Sequence, residues 1–285
     1  MSSTSRSTGR SAIVRTVSTI MWGYMRIINV LSFGAGVQSS ALAIMAERGE
    51  IESKIDFAVF ADTQAEPKEV YDWLNYMETK VSFPIIRVSK GNIIEDALSG
   101  SRFAAMPFFA KKLDGTIGMA RRQCTAEYKI YPVRKAIRER LGYEKGERVK
   151  NHHVFLHMGI SIDESRRMSI SDVPWAEHEY PLVDNRITRS DCVSYLEKLG
   201  YGTPPKSACY VCPFRDNRSW RNMRDNDHQS WVAAIEFDKN MRKKSRFDCD
   251  IFLHRDCLPL DQVDLDSELN QLDMFRNECT GGCGV

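Results

Sequence analysis

The sequence predicts an α/β protein, a doubly wound and mainly parallel sheet of the Rossmann-like type with a smaller C-terminal subdomain that contains cysteines. Three observations predict it. Short β-branched runs alternate with helical patterns from Ile27 onward, which implies parallel strands joined by right-handed crossovers. A loop of small residues leaves the first of these runs, where doubly wound sheets hold ligands. After about Tyr201 the pattern changes to Pro-rich turns, Arg-rich helical stretches and cysteine pairs.

The elements follow in order. Ile27–Ser32 reads as a strand, and Gln38–Arg48 as a helix with Leu42, Met45 and Ala46 on its apolar side. Phe57–Ala61 is a second strand, and Pro67–Lys80 a second helix with proline in its first turn. Pro84–Val88 and Ile93–Leu98 repeat the pair. A helix over Tyr131–Leu141 precedes a fourth strand, His153–His157, and Asp191–Leu199 is a further helix entered from Ser190 as its cap. Three regions result: an arm over residues 1–25, a nucleotide-binding α/β domain over 26–200, and a helical, Cys-containing subdomain over 201–285.

Composition bounds the function. The 285 residues are 42% hydrophobic and 27% charged with no run of 18 apolar residues, which argues against disorder and against a membrane span. The formal net charge is +2, yet residues 1–26 hold four arginines and no acid, so bulk charge of the body does not predict nucleic-acid binding. Eight cysteines fall below the density of a disulfide scaffold, and no signal peptide opens the chain, so a cytoplasmic location is expected. The Ser-, Thr- and Arg-rich arm reads as a disordered extension, an upstream run of the reading frame, or a targeting peptide.

Residues 32–40 read Ser-Phe-Gly-Ala-Gly-Val-Gln-Ser-Ser between strand and helix. Backbone amides of such a turn, with the helix N-terminus behind them, can cradle an anion, and phosphate is the natural guest. The loop lacks the Gly-Lys-Ser/Thr ending of a Walker motif, and position 39 is Ser where a dinucleotide fingerprint needs its last Gly. A glycine turn chosen only for close helix–strand packing is the competing reading.

Ser32–Ser40 resembles the Ser-Gly-Gly-x-Asp-Ser pyrophosphate loop of the PP-loop adenine-nucleotide α-hydrolase superfamily, and Phe33 resembles its PAPS-reductase branch in particular. The likeness continues in order along the chain. Phe57–Glu66, with Asp62-Thr63 in it, resembles that branch's second strand, and Arg122–Pro132, with Cys124 and Lys129, its Cys and Lys segment. Met158–Arg167 resembles its Gly-x-Arg-x-x-Glu-Ser-x-x-Arg loop, and Tyr180-Pro181-Leu182 followed by Asp191 the segment after it. The resemblance covers residues 28 to about 215.

That resemblance implies a set of roles. Amides of Gly34, Ala35, Gly36, Val37, Gln38, Ser39 and Ser40 would bind phosphate oxygens, with the hydroxyls of Ser32, Ser39 and Ser40. Ala61, Asp62 and Thr63 would lie against the adenosine, and Gly159 and Ile160 would let backbone approach it. Lys129 and Arg167 would bring positive charge to phosphate or sulfate, so the candidate catalytic set is Gln38, Ser39, Lys129, Arg167 and Cys283. As bland alternatives, Asp62 is a helix-capping turn residue, Lys129 a solvated lysine and Arg167 a surface ion pair. The chain departs from the pattern at Gln38, where the family usually has Asp, at Ser161, which stands for an Arg, and at Cys124, which is single.

Cys209-x-x-Cys212 is a knuckle whose spacing lets two thiolates face one metal, and Cys279 and Cys283 form a second pair. Four thiolates suffice for Zn2+ or a [4Fe-4S] cluster, and the resemblance implies an alternative trio of Cys124, Cys209 and Cys212 around an open iron. Reduced spectators are the plain alternative. Cys192, Cys249 and Cys257 are expected in apolar surroundings. Arg215, Arg218, Arg221 and Arg224 recur every third residue near Trp220 and Trp231, a ladder that could follow an RNA or DNA backbone with bases stacked on the indoles, or form a solvated face. His152, His153 and His157 read as structural, and Arg242–Arg246 as an exposed turn.

The leading expectation is an ATP-binding enzyme, using Mg2+, that cleaves between the α- and β-phosphates and transfers AMP to an acceptor oxygen, such as a nucleobase carbonyl. The second is a sulfonucleotide (PAPS or APS) reductase in which Cys279 or Cys283 attacks the sulfate sulfur. The third is a non-catalytic nucleotide-binding accessory protein of a mobile-element, phage or type IV CRISPR locus. No membrane partner is expected, and an oligomer remains open.

Overall fold

The structure, a computed structural model, describes residues 25–100, 106–120, 122–244 and 249–266. Strand β1 (Arg26–Ser32) leads through the small-residue loop into helix α1 (Val37–Glu47). Strand β2 (Phe57–Asp62) and helix α2 (Lys68–Glu78) follow; Pro67 sets up α2, whose Val70, Leu74 and Met77 recur at helical spacing and are fully buried. Strand β3 (Ile85–Ser89) precedes helix α3 (Ile93–Ser99), which is capped by the Asn92 carboxamide at its start and closed by left-handed Gly100.

Short strands β4 (Phe109–Lys111) and β5 (Ile117–Met119) then lead to a π-helical turn, Thr125–Ile130, continuous with helix α4 (Tyr131–Arg140). Pro132 has no N–H to donate back to residue 128, which accounts for the widened turn just before it. Strand β6 (His152–Met158), a 3-10 turn over Ile162–Arg167, strand β7 (Ala176–Glu179) and helices α5 (Pro181–Asp184) and α6 (Arg189–Lys198) complete the first layer set. The last part holds helices α7 (Asn217–Asn226) and α8 (His228–Lys244) and strand β8 (Asp250–Phe252).

Five strands form an all-parallel sheet in the order β3-β2-β1-β6-β7. This is the expected α/β, Rossmann-like class. Leu31, Leu42 and Ile44 pack one face against α1, α2 and α6, while Val30, Val59, Val133, Ile137 and Leu156 pack the other against α4. Fully burying a side chain such as Leu42 contributes roughly 1.5–3 kcal/mol, and α1, buried from Val37 to Met45, is anchored behind its loop in this way.

A second core joins Trp220, Met223, Phe237 and Met241 of α7 and α8 to Ala65, Ile93, Ala97, Phe108 and Tyr128. The C-terminal region therefore shares its interior with residues 65–128. Beside it β4 pairs antiparallel with β5 and β8 in a small separate sheet. The predicted cap of α6 is corrected: Thr188, not Ser190, caps the helix, in a capping box with Asp191 whose carboxylate accepts from the Thr188 backbone N–H. Among the described residues no helix is long and apolar enough to cross a membrane.

Candidate functional site

The strand order places the site. From β1 the chain winds outward through β2 and β3, and then returns to β1's other side with β6, so the loops leaving β1 and β6 diverge and open a crevice at the carboxyl edge. The loop leaving β1 lies there. Ala35 takes a left-handed φ of 55°, and Gly36 is extended at the helix entrance. The Ser39 hydroxyl accepts from the Gly34 amide at 3.3 Å and donates to the Gly36 carbonyl at 3.2 Å, so the loop is tied to the first turn of α1. No side chain caps α1 and no acid stands in its first turn, which leaves the positive end of its dipole uncompensated. Gly34 and Gly36 are the half-exposed members of the stretch; its other residues are buried.

Gly159 explains how the two loops meet. A Cβ there would lie 2.7 Å from the Ser39 amide nitrogen and 2.8 Å from its Cα, so only glycine permits β6 to end against the start of α1. The close approach in this structure is between two backbones of the protein. Ile160 and Ser161 beside it are buried.

Gln38 is buried and bonded on both sides. Its Nε2 donates to Ser161 Oγ at 3.5 Å, and its Oε1 accepts from Arg189 Nη1 at 2.8 Å. Arg189, at the start of α6, is in turn held through its backbone N–H by Asp163. Gln38 and Ser161, the two positions that depart from the pattern this chain resembles, thus contact one another, and the Gln38 amide holds the Arg189 guanidinium beside the first turn of α1. Ser40 accepts from the Trp73 indole at 2.9 Å, and Phe33 lies in the core with its amide bonded to the Val59 carbonyl.

On the other flank, Ser32, Phe33, Gly34, Val59, Phe60, Ala61, Lys129 and Val133 enclose a hollow of ≈ 10 Å³, room for about one water. Lys129 is buried, with Nζ 3.6 Å from Glu66 Oε1, so the solvated-lysine alternative is overturned and its charge sits between Glu66 and the loop. Asp62 Oδ1 accepts from the Gln64 amide and from the Tyr71 hydroxyl, an arrangement that fixes the end of β2. Thr63, also buried, contacts the Cys209 thiol at 3.1 Å. Arg167 pairs with Glu164 inside the protein, both side chains about 5% exposed, so it is a buried rather than a surface pair; its Nε lacks a hydrogen-bond partner.

Burial, and then the Glu66 charge, push the Cys209 thiol well above its ordinary pKa, and Cys212 follows it in a tight turn with its amide on the Cys209 carbonyl. Cys124 opens the π-helical turn and packs against the second core. Among the described residues no three of His, Cys, Asp and Glu converge so as to hold a metal ion. Cys279 and Cys283 lie outside the described residues. Cys192 and Cys257 are buried and Cys249 packs on the second core, as expected.

The arginine ladder is corrected in part. Arg215 is buried, donates to the carbonyls of Ala208 and Cys209, and lies over Trp220, while Trp220 itself is 0% exposed and cannot stack on a base. Arg224 is bonded to Asp225 and Asp266, and Arg221 is near Asp266. Of the residues at the site, Glu66, Trp73 and Arg189 were not singled out from the sequence. Glu66, a carboxylate just past Asp62-Thr63, could have been; nothing local marks Arg189.

No family model matches the chain, and no curated protein matches it. Among solved structures, the chain is similar to a phosphoadenylyl-sulfate (PAPS) reductase from Candida auris in its phosphate complex, at 14% identity and a TM-score of 0.41, over 72% of this chain and 92% of that one.

Proposed function

We propose that the chain binds ATP, as its Mg2+ complex, at the loop leaving β1 and cleaves it between the α- and β-phosphates. The observation that carries this reading is the uncapped start of α1 at the sheet's switch point, flanked by Lys129 on one side and by Arg189 through Gln38 on the other. An acceptor oxygen attacks the α-phosphorus, the bond from it to the bridging oxygen breaks, and pyrophosphate leaves with the electron pair. The amides of Ala35–Ser39 and the two cations would stabilise the leaving charge, and no side chain forms a covalent intermediate. A preorganised donor at such a position contributes about 10²–10³ in rate. Since the hollow beside Ser32 holds about one water, adenosine would enter by separating the Lys129 turn from the β1–β2 edge.

The absence of a carboxylate from residues 32–40 favours one second reading, sulfonucleotide reduction, in which the loop holds the nucleotide without splitting a pyrophosphate. There a cysteine thiolate attacks the sulfate sulfur, the adenosine phosphate leaves, and an external dithiol such as thioredoxin supplies the electrons that release sulfite. Incubation with ATP and candidate RNA or DNA acceptors, with AMP and pyrophosphate quantified, tests the first reading; sulfite release from PAPS or APS with thioredoxin tests the second. ATP binding without either product supports a nucleotide-binding accessory role, and no binding of any adenine nucleotide rejects all three.

A further inference from the structure

Beyond the nucleotide loop, the exposed side of α4 carries a groove that none of the roles above uses. A cavity of ≈ 590 Å³ is bounded by Lys90 just past β3, by Tyr131, Lys135 and Arg138 of α4, and by Tyr143 and Lys145 of the loop after it. It adjoins a hollow of ≈ 500 Å³ over Gln123 and Ala126, and another of ≈ 280 Å³ that reaches Arg134 and Ser169. Tyr131 lines all three. It is 58% exposed and, among the described residues, the one Phe, Tyr or Trp on the surface to that degree.

Charge concentrates at the same place. The groove's lining holds five basic side chains, Lys90, Arg134, Lys135, Arg138 and Lys145, against two acidic ones, Glu127 and Glu139, whereas residues 27–285 as a whole carry slightly more acid than base. Arg138 is committed to the carbonyls of Glu144 and Glu147 and so builds one wall of the groove. Lys135 meets only its helical neighbour Glu139 at 3.7 Å and Lys90 pairs with Glu127 at 2.8 Å, and such surface pairs are exchanged for phosphate at little cost. The π-helical turn separates this groove from the loop site: Lys129 faces the hollow at Ser32, and Glu127 faces the groove.

We propose that this groove binds single-stranded nucleic acid, with a base on Tyr131 and phosphates along Lys90, Lys135 and Lys145. Adjoining hollows that meet at Tyr131 and are lined by several cations suit a repeating phosphate chain, and an exposed aromatic ring at their junction needs an unstacked base, which a duplex does not offer. The nucleic-acid surface is thereby moved from the α7 arginines to α4. The inference does not depend on nucleotide turnover.

Fluorescence anisotropy of a labelled strand of roughly 15 nucleotides, as DNA and as RNA, with the full chain and no added nucleotide tests it. Three phosphate contacts give a slope of about −2 for log affinity against log salt. Tyr131→Ala should weaken binding about fivefold. Lys135→Glu with Lys145→Glu should weaken it about tenfold or more and flatten the slope by about 1.4. Arg218→Glu on α7 should leave it unchanged, and circular dichroism should show all variants folded. No binding at about 50 mM salt, binding indifferent to both groove variants, or duplex bound as tightly as single strand overturns the proposal. Because ATP is absent, failure of ATP cleavage leaves the result readable.

Discussion

Gly159→Ala is the sharpest probe of the junction between β6 and α1. Its methyl would sit 2.7, 2.8 and 3.0 Å from the N, Cα and Cβ of Ser39, where ordinary contact begins at 3.4 Å. Backbone on both sides must therefore part by about 0.7 Å, which a close-packed interior resists. Neither side yields easily: β6 is registered against β1 over seven residue pairs, and α1 is buried from Val37 to Met45. Overpacking of this kind costs about 1–3 kcal/mol. At about 2 kcal/mol, a domain of this size loses roughly 4–8 °C in Tm. Urea and thermal unfolding followed by circular dichroism measure it, with Gly118→Ala as control, because nothing lies within 4 Å of a Cβ there. ATP affinity should fall as well, since the displaced backbone is the loop's own support. A Gly159→Ala protein as stable as its parent, or a Gly118→Ala protein equally weakened, would refute the argument.

Other expectations follow from individual groups. Burial holds the pKa of His157 down to about 4, with only Nε2 bonded, to Asn29. From the unfolded value near 6.5 down to the folded one, the unfolded chain binds the extra proton. Stability is therefore full above about pH 6.5 and falls by about 3 kcal/mol as pH drops toward 4; His153 and His178 shift the same way through burial. Urea midpoints across that range should slope in the parent and slope less steeply in His157→Gln, where His153 and His178 still titrate. Gln38→Leu removes one acceptor of the Arg189 guanidinium and should lower stability by about 1 kcal/mol, whereas Gln38→Asp keeps an acceptor there and should restore the urea midpoint. Arg215→Ala strips the buried Ala208 carbonyl of its donor, leaves the Cys209 carbonyl with the Cys212 amide alone, and should cost about 2 kcal/mol, while exposed Arg218→Ala should stay within about 0.5 kcal/mol. Cys192, buried with its thiol pushed up to about 12, should resist a thiol-specific reagent in the native protein and react once urea unfolds it.

Much of the architecture could be read from residue order. Alternating apolar runs marked β1, β2, β3 and β6 and the helices between them to within a residue or two, because strand and helix periods are properties of a few consecutive residues. The turn at 33–36 was equally legible, since small residues there answer a local steric demand. Thr188-x-x-Asp191 also carries its capping box in the open, although Ser190 drew the prediction. Strand β7 escaped notice because Ala-Glu-His-Glu has little β-branched character, and only pairing with β6 makes it a strand. The three-residue strands of the small sheet are equally silent until β4 finds β8, some 140 residues later.

The burial of Arg215 and Trp220, the sealing of Lys129 against Glu66, and the bond between Gln38 and Arg189 belong to the folded chain alone. A helical repeat of arginines states which side chains share a face, but whether that face meets water depends on residues 65–128 arriving to cover it. Gln38 and Arg189 are 151 positions apart and meet because the crossovers of the sheet return β6 and α6 to the edge of β1. Backbone preference acts over neighbours, whereas the charge beside a loop is set by whatever distant segment packs against it.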